Sequence, residues 1–172
     1  MSSKRRESAV TELGRSMRRL SRGAGPVFVR YGRFAHGTAA LRGPGGLLGE
    51  TQRLIARAHR TWPPHHAAPP YEISDAELEA SLRTLDAAGE VPELLATLAA
   101  VDLAYGSSGI DHDKARAAAR RVTEVLGPDA VWFTNLDGDG SCGGEVTSYT
   151  FDGLIAGHSA DHFAILLRGG ED

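Results

Sequence analysis

The sequence predicts an α+β fold in which three consecutive helices pack on a small antiparallel C-terminal meander, preceded by a basic helical arm and a short strand. Three observations predict it. Apolar residues from Leu78 to Leu126 recur at spacings of three and four, the helical period. Beyond Pro128 they gather instead into short runs rich in Val, Ile and aromatic residues. Glycine or proline stands at nearly every change of pattern. At 172 residues the chain has length for one domain and an appendage.

In residues 5–22, Val10, Leu13, Met17 and Leu20 form a narrow helical stripe with Arg6, Arg15, Arg18, Arg19 and Arg22 around it. This is a basic amphipathic helix, stopped by Gly23 and Gly25. Pro26 to Phe34 reads as a short strand, and a Gly-rich connection from Gly37 to Gly46 follows. Leu47, Leu48, Thr51, Leu54, Ile55, Ala58 and Trp62 then share one helical face. The segment Thr61 to Tyr71, T-W-P-P-H-H-A-A-P-P-Y, is expected to be extended and stiff, because proline fixes its own φ and restricts the residue before it.

After this segment, Ser74-Asp75-Ala76-Glu77 is a capping-box pattern, with Leu78, Leu82 and Leu85 as a stripe and Gly89 as a stop. Pro92 opens the next helix, carried by Leu94, Leu95, Leu98, Val101 and Tyr105. The third begins near Asp111 or Asp113 and ends at Gly127-Pro128. Ala130 to Leu136, Val146 to Ala156 and His162 to Arg168 read as strands, and their short connections favour a meander with the helices on one of its faces.

Charge supplies the strongest compositional signal. Residues 1–70 carry 13 Lys or Arg against three acids, a net +10, whereas residues 71–172 carry six against 19, a net −13. The reversal coincides with the prolines. The expected organisation is therefore a basic arm (1–24), a basic strand-loop-helix segment (25–62), a proline-rich linker (63–70) and an acidic α+β domain (71–172). Arginine outnumbers lysine 17 to 2 and alanine is abundant, as in products of GC-rich bacterial genomes, so arginine alone does not indicate nucleic acid. No apolar run approaches the ~20 residues that span a bilayer, and MSSKRRESAV has no apolar segment behind its basic residues. Cys142 is the single cysteine and excludes an internal disulfide. A cytoplasmic protein without integral membrane association is expected.

One stretch carries chemistry on its face: Asn135 to Glu145, N-L-D-G-D-G-S-C-G-G-E. Asn135, Asp137, Asp139 and Gly140 match the first six places of an EF-hand loop, where alternating oxygen ligands surround calcium. The twelfth place is Val146, with Glu145 one residue short, and the flanks read as strands. The reading is either an irregular calcium or other divalent-metal site on Asn135, Asp137, Asp139 and Glu145, or a plain loop of Asp-Gly and Gly-Gly. D-G-D-G-S-C around Cys142 also resembles the nucleophile segment of ovarian-tumour-type cysteine proteases, and His162-Phe163 their later His-aromatic pair. A helix, which G-G-E-V-T-S cannot readily form, would have to follow that cysteine. His158, Asp161 and His162 are a candidate metal triad, with His65 and His66 as outlying imidazoles. The C-terminal L-R-G-G, Leu167 to Gly170, resembles the tail of ubiquitin-type proteins, against the plainer reading of a strand end.

Arg15, Arg18, Arg19 and Arg22 admit docking on the acidic half or a second subunit, on nucleic acid, or on an anionic membrane surface. The preferred reading is a non-enzymatic protein-interaction module, an adaptor or an inhibitor of the immunity-protein kind, with oppositely charged faces. A nucleic-acid-binding protein using the basic half is the alternative, and a metal protein or hydrolase built on residues 135–145 is the third.

Overall fold

The run H-F-A-I-L-L-R-G-G, His162–Gly170, is buried at every residue, and it forms the strand (β5) around which the rest is arranged. In the computed structural model of the chain, residues 3–22, 25–35, 41–42, 45–62, 72–85, 89–101, 110–137 and 143–170 are described. The elements among them are α1 (Ser3–Leu20), β1 (Val27–Arg33), α2 (Leu47–Thr61), α3 (Asp75–Ala80), β2 (Arg83–Leu85), α4 (Val91–Ala100), α5 (His112–Leu126), β3 (Val131–Thr134), β4 (Phe151–His158) and β5. The fold is α+β. Its five strands make one antiparallel sheet in the order β1-β5-β4-β3-β2.

Successive side chains of a strand point to opposite faces, so a strand that is apolar at every position needs a cover on both. β5 has them. Ala164 and Leu166 pack into a core with Leu13, Met17 and Leu20 of α1, Leu95 and Leu98 of α4, and Ala118 and Val122 of α5. Phe163, Ile165 and Leu167 pack into a second core with Leu48, Leu54 and Ile55 of α2 and Leu78 of α3. Helices thus cover both sheet faces, where one covered face was expected. The basic helix is the outer layer of the first core, and its Leu13, Met17 and Leu20 have no exposed surface.

The capping box forms as written: Ser74 Oγ accepts from Glu77 N at 3.3 Å, and Ser74 N donates to Glu77 Oε2 at 2.9 Å. The helix it opens is short. It ends at Ala80, and Arg83–Leu85 pairs with β3 as the edge strand β2. The stripe Leu78, Leu82, Leu85 is not one helical face: Leu78 belongs to the second core and Leu85 to the first. α4 begins at Val91 with Pro92 in its first turn, and Val101 is already extended. Asp111 caps α5 by accepting from Asp113 N and Lys114 N at 3.0 and 3.3 Å, and Gly127, at φ 91°, ends it. The proline segment 63–70 lies outside the described residues.

Candidate interaction face

At about 100° of rotation per residue, Arg15, Arg18 and Arg19 fall within an arc of about 100° on α1, diametrically opposite Leu13, Met17 and Leu20, and Arg22 follows in the turn after the helix. All four are exposed. The helix beneath them is held from two sides. A Cβ on Gly14 would stand 2.7 Å from the Tyr31 ring, so α1 lies directly on β1 there. Arg18 Nη1 donates to Tyr31 Oη at 2.8 Å, fixing one guanidinium of the four over that contact. On the other flank, Arg121 of α5 donates to Glu12 through Nε at 2.6 Å and also pairs with Glu124.

Several arginines elsewhere are ion-paired, although among the described residues the exposed Arg57, Arg60 and Arg120 are not. Arg30 and Arg53 both pair with the nearly buried Glu50, Arg42 with Glu79, and Arg116 with Glu93 at 2.9 Å. Among the described residues, Arg15, Arg18, Arg19 and Arg22 have no ion-pair partner. Their positive charge is offered outward from a packed helix. The patch is short, because Arg15 and Arg19 are about 6 Å apart along the axis at the helical rise, with Arg22 in the turn just beyond. Glu12 with Glu124 bounds it on one side, and Asp111 with Asp113 lies beyond Lys114 at the start of α5.

At the C-terminal end of α1 the patch deepens into a cleft of about 550 Å³ lined by Arg19, Arg22, Ile110, Lys114 and Ala117. Lys114 faces Asp111 at 3.4 Å as a largely exposed pair. Sequence reading did not single out Ile110, Lys114 or Ala117. No local signal could have done so, since roughly ninety residues separate them from α1 and only the α1–α5 packing brings them together.

Of the 135–145 stretch, residues 135–137 and 143–145 are described. Asn135 is buried, its Oδ1 accepts from Leu154 N at 2.7 Å, and its Nδ2 donates to Gly144 O and Asp152 Oδ1 at 2.7 and 2.6 Å. Asp152, absent from the sequence-based candidates, is the hub: its Oδ2 accepts from Val146 N, Thr147 N and Thr147 Oγ1 at 3.0, 2.7 and 2.7 Å. Burial pushes its pKa up, and these donors counter part of that shift. The knot explains why β4 starts at Phe151 and not at Val146. Asp137 and Glu145 are exposed, while Asp139 and Cys142 lie outside the described residues. Among the described residues no three His, Cys, Asp or Glu side chains are grouped as a metal site.

His158 and His162 are on opposite sheet faces, because His158 pairs with Phe163, the neighbour of His162 on β5. His158 stacks on Phe133, whereas His162 is buried with Nδ1 2.7 Å from Asp161 Oδ1. His65 and His66 are outside the described residues. The Leu167 to Gly170 stretch is the inner end of β5, and a Cβ on Gly169 would stand 2.7 Å from the Tyr149 ring. Gly169 serves close packing against Tyr149 and Trp62. His59 Nε2 lies 3.3 Å from Ser148 Oγ and 3.4 Å from Ser148 N, and burial lowers the His59 pKa.

Comparison of the chain with protein-family models, with curated proteins and with solved structures finds no match. No helix among the described residues is long and apolar enough to cross a membrane.

Proposed function

We propose that the protein is a non-enzymatic interaction module that holds an acidic protein partner on the arginine face of α1. The observation that carries this reading is the set of exposed arginines, Arg15, Arg18 and Arg19 on the solvent side of a helix whose other side is core and Arg22 in the turn after it, none with an ion-pair partner among the described residues. Charge presented on a rigid element loses little freedom on binding, and guanidinium forks suit carboxylates bidentately. A short patch bounded by acids fits a local acidic surface better than a polyanion that must run past it. Among the described residues the only exposed large apolar side chain is Val131, so no exposed aromatic ring offers a stacking platform for bases.

The test is retention in the native cell extract at low salt. An acidic protein should stay with the tagged chain, resist nuclease, be released by raised salt, and be lost from an Arg15→Glu/Arg19→Glu/Arg22→Glu variant that keeps its circular dichroism. An empty chain at low salt, or release by nuclease, overturns the reading. Nuclease release would favour the nucleic-acid alternative.

A further inference from the structure

We propose that the cleft between the end of α1 and the start of α5 is an anchor pocket. It would take one aliphatic side chain of an acidic segment whose flanking carboxylates pair with Arg19, Arg22 and Lys114. The inference rests on the function proposed above and specifies what that face recognises.

The cleft has the two-part chemistry such a segment needs. Ile110, immediately before the Asp111 cap, and Ala117, one turn after Lys114, supply an apolar floor without a ring. Arg19 in the last turn of α1 and Arg22 in the turn after it line one side, and Lys114 of α5 lines the other. Its volume of about 550 Å³ lies within the ~300–1,000 Å³ of ordinary ligand clefts, so a side chain and its neighbours can be accommodated together. Ala117 is exposed and Ile110 half-buried, which leaves apolar surface for a partner to cover. Charge complementarity selects the occupant: Arg19, Arg22 and Lys114 line the cleft, and only Lys114 has an ion-pair partner among the described residues, Asp111 at 3.4 Å, whose other oxygen caps α5. A bare phosphate would use the cations and leave the floor wet. An apolar residue between carboxylates uses both.

The full-length protein, ¹⁵N-labelled, would be titrated at low salt with three probes: the blocked peptide Asp-Glu-Leu-Glu-Asp, its glycine counterpart Asp-Glu-Gly-Glu-Asp, and a five-thymidylate oligonucleotide. The leucine peptide should bind about tenfold tighter than the glycine peptide, with shifts at the amides of Ile110, Lys114 and Ala117. Ala117→Gln, which fills the cleft at a solvent-facing position without changing charge, should bring the leucine peptide down to the glycine level. Equal binding of the two peptides, with shifts at the α1 arginines, removes the anchor pocket and leaves the arginine face standing. No shift at α1 with either peptide removes both. Oligonucleotide binding as tight as the leucine peptide would overturn the anchor by making the cleft a phosphate site.

Discussion

Asn135 Nδ2 donates to Asp152 Oδ1 at 2.6 Å, and this bond ties the end of β3 to the start of β4 beneath the connection between them. Through the same two side chains pass bonds to Gly144, Val146, Thr147 and Leu154. Asp152→Ala would leave the buried amides of Val146 and Thr147 and the Asn135 amide without their acceptor. Each such orphan costs roughly 1–3 kcal/mol, so a total loss of about 3–5 kcal/mol is expected in urea denaturation at pH 7. A loss under about 1 kcal/mol would show that water replaces the carboxylate freely.

The same residue sets a pH dependence of uncommon sign. Burial raises the Asp152 pKa in the folded state, so the folded state holds the proton more tightly than the unfolded one. The stabilisation is complete below the unfolded value of about 3.9 and is lost as pH rises through the higher folded value. Relative to Asp152→Asn, wild type should therefore gain stability as pH falls from 7 toward 4. A difference between the two that is flat over this range would contradict the assignment.

His59 works in the other direction. Burial lowers its pKa, so its contribution is present above the unfolded value of about 6.5 and is lost as pH falls through the folded value. Wild type should lose stability relative to His59→Gln between pH 7.5 and 5. Since the two windows overlap with opposite signs, melting wild type alone would understate both, and the paired variants separate them.

α1 should divide cleanly into two faces. Leu13 is fully buried in the core, so Leu13→Ala is expected to cost about 2–5 kcal/mol, and deletion of residues 1–24 should unfold the chain or leave it molten. Arg15→Glu with Arg19→Glu should change stability by no more than about 0.5 kcal/mol per site while abolishing partner retention. If the arginine pair instead destabilised as Leu13→Ala does, the face would be structural and not a docking surface.

Much of this was legible in the sequence, and the exceptions have physical causes. The stripe of Leu13, Met17 and Leu20 and the run Phe163 to Leu167 announce a buried helix face and a strand correctly. The uninterrupted apolarity of that run also carried the sign that both faces of the sheet are covered, which alternation would not have carried. Leu78, Leu82 and Leu85 misled because three residues cannot distinguish a helical stripe from a helix followed by a strand. What makes Arg83–Leu85 a strand is pairing with Trp132, Phe133 and Thr134, some fifty residues on. Asp152 was missed because buried polar knots have no periodicity. Asn135 stands out in the sequence for its place in a calcium pattern, and nothing local shows that its amide bonds to Leu154, Gly144 and Asp152.

That pattern gives a further expectation. Asn135 Oδ1 is buried and already accepts from Leu154 N–H, so a cation would have to reach into the buried knot to share it. Calorimetric titrations of Ca²⁺ into wild type, Asp137→Ala and Asp139→Ala should superimpose. A binding heat present in wild type and absent from both variants would establish the site and overturn this expectation.

Gly157 tests how the sheet meets its first core. It pairs with Trp132 across β3 and β4, and a Cβ there would stand 2.2 Å from the indole ring, which is itself only 1% exposed. An indole buried to that degree has nowhere to retreat without displacing its neighbours. Gly157→Ala should therefore cost at least about 1–3 kcal/mol, the range for overpacking a well-filled core. Trp132→Leu would be destabilising too, through the cavity it leaves. The decisive quantity is the coupling: with the ring gone, the added methyl has space, so Gly157→Ala should cost less in the Trp132→Leu background than in wild type. Additive costs in the double variant would mean that the glycine serves backbone conformation and not the indole.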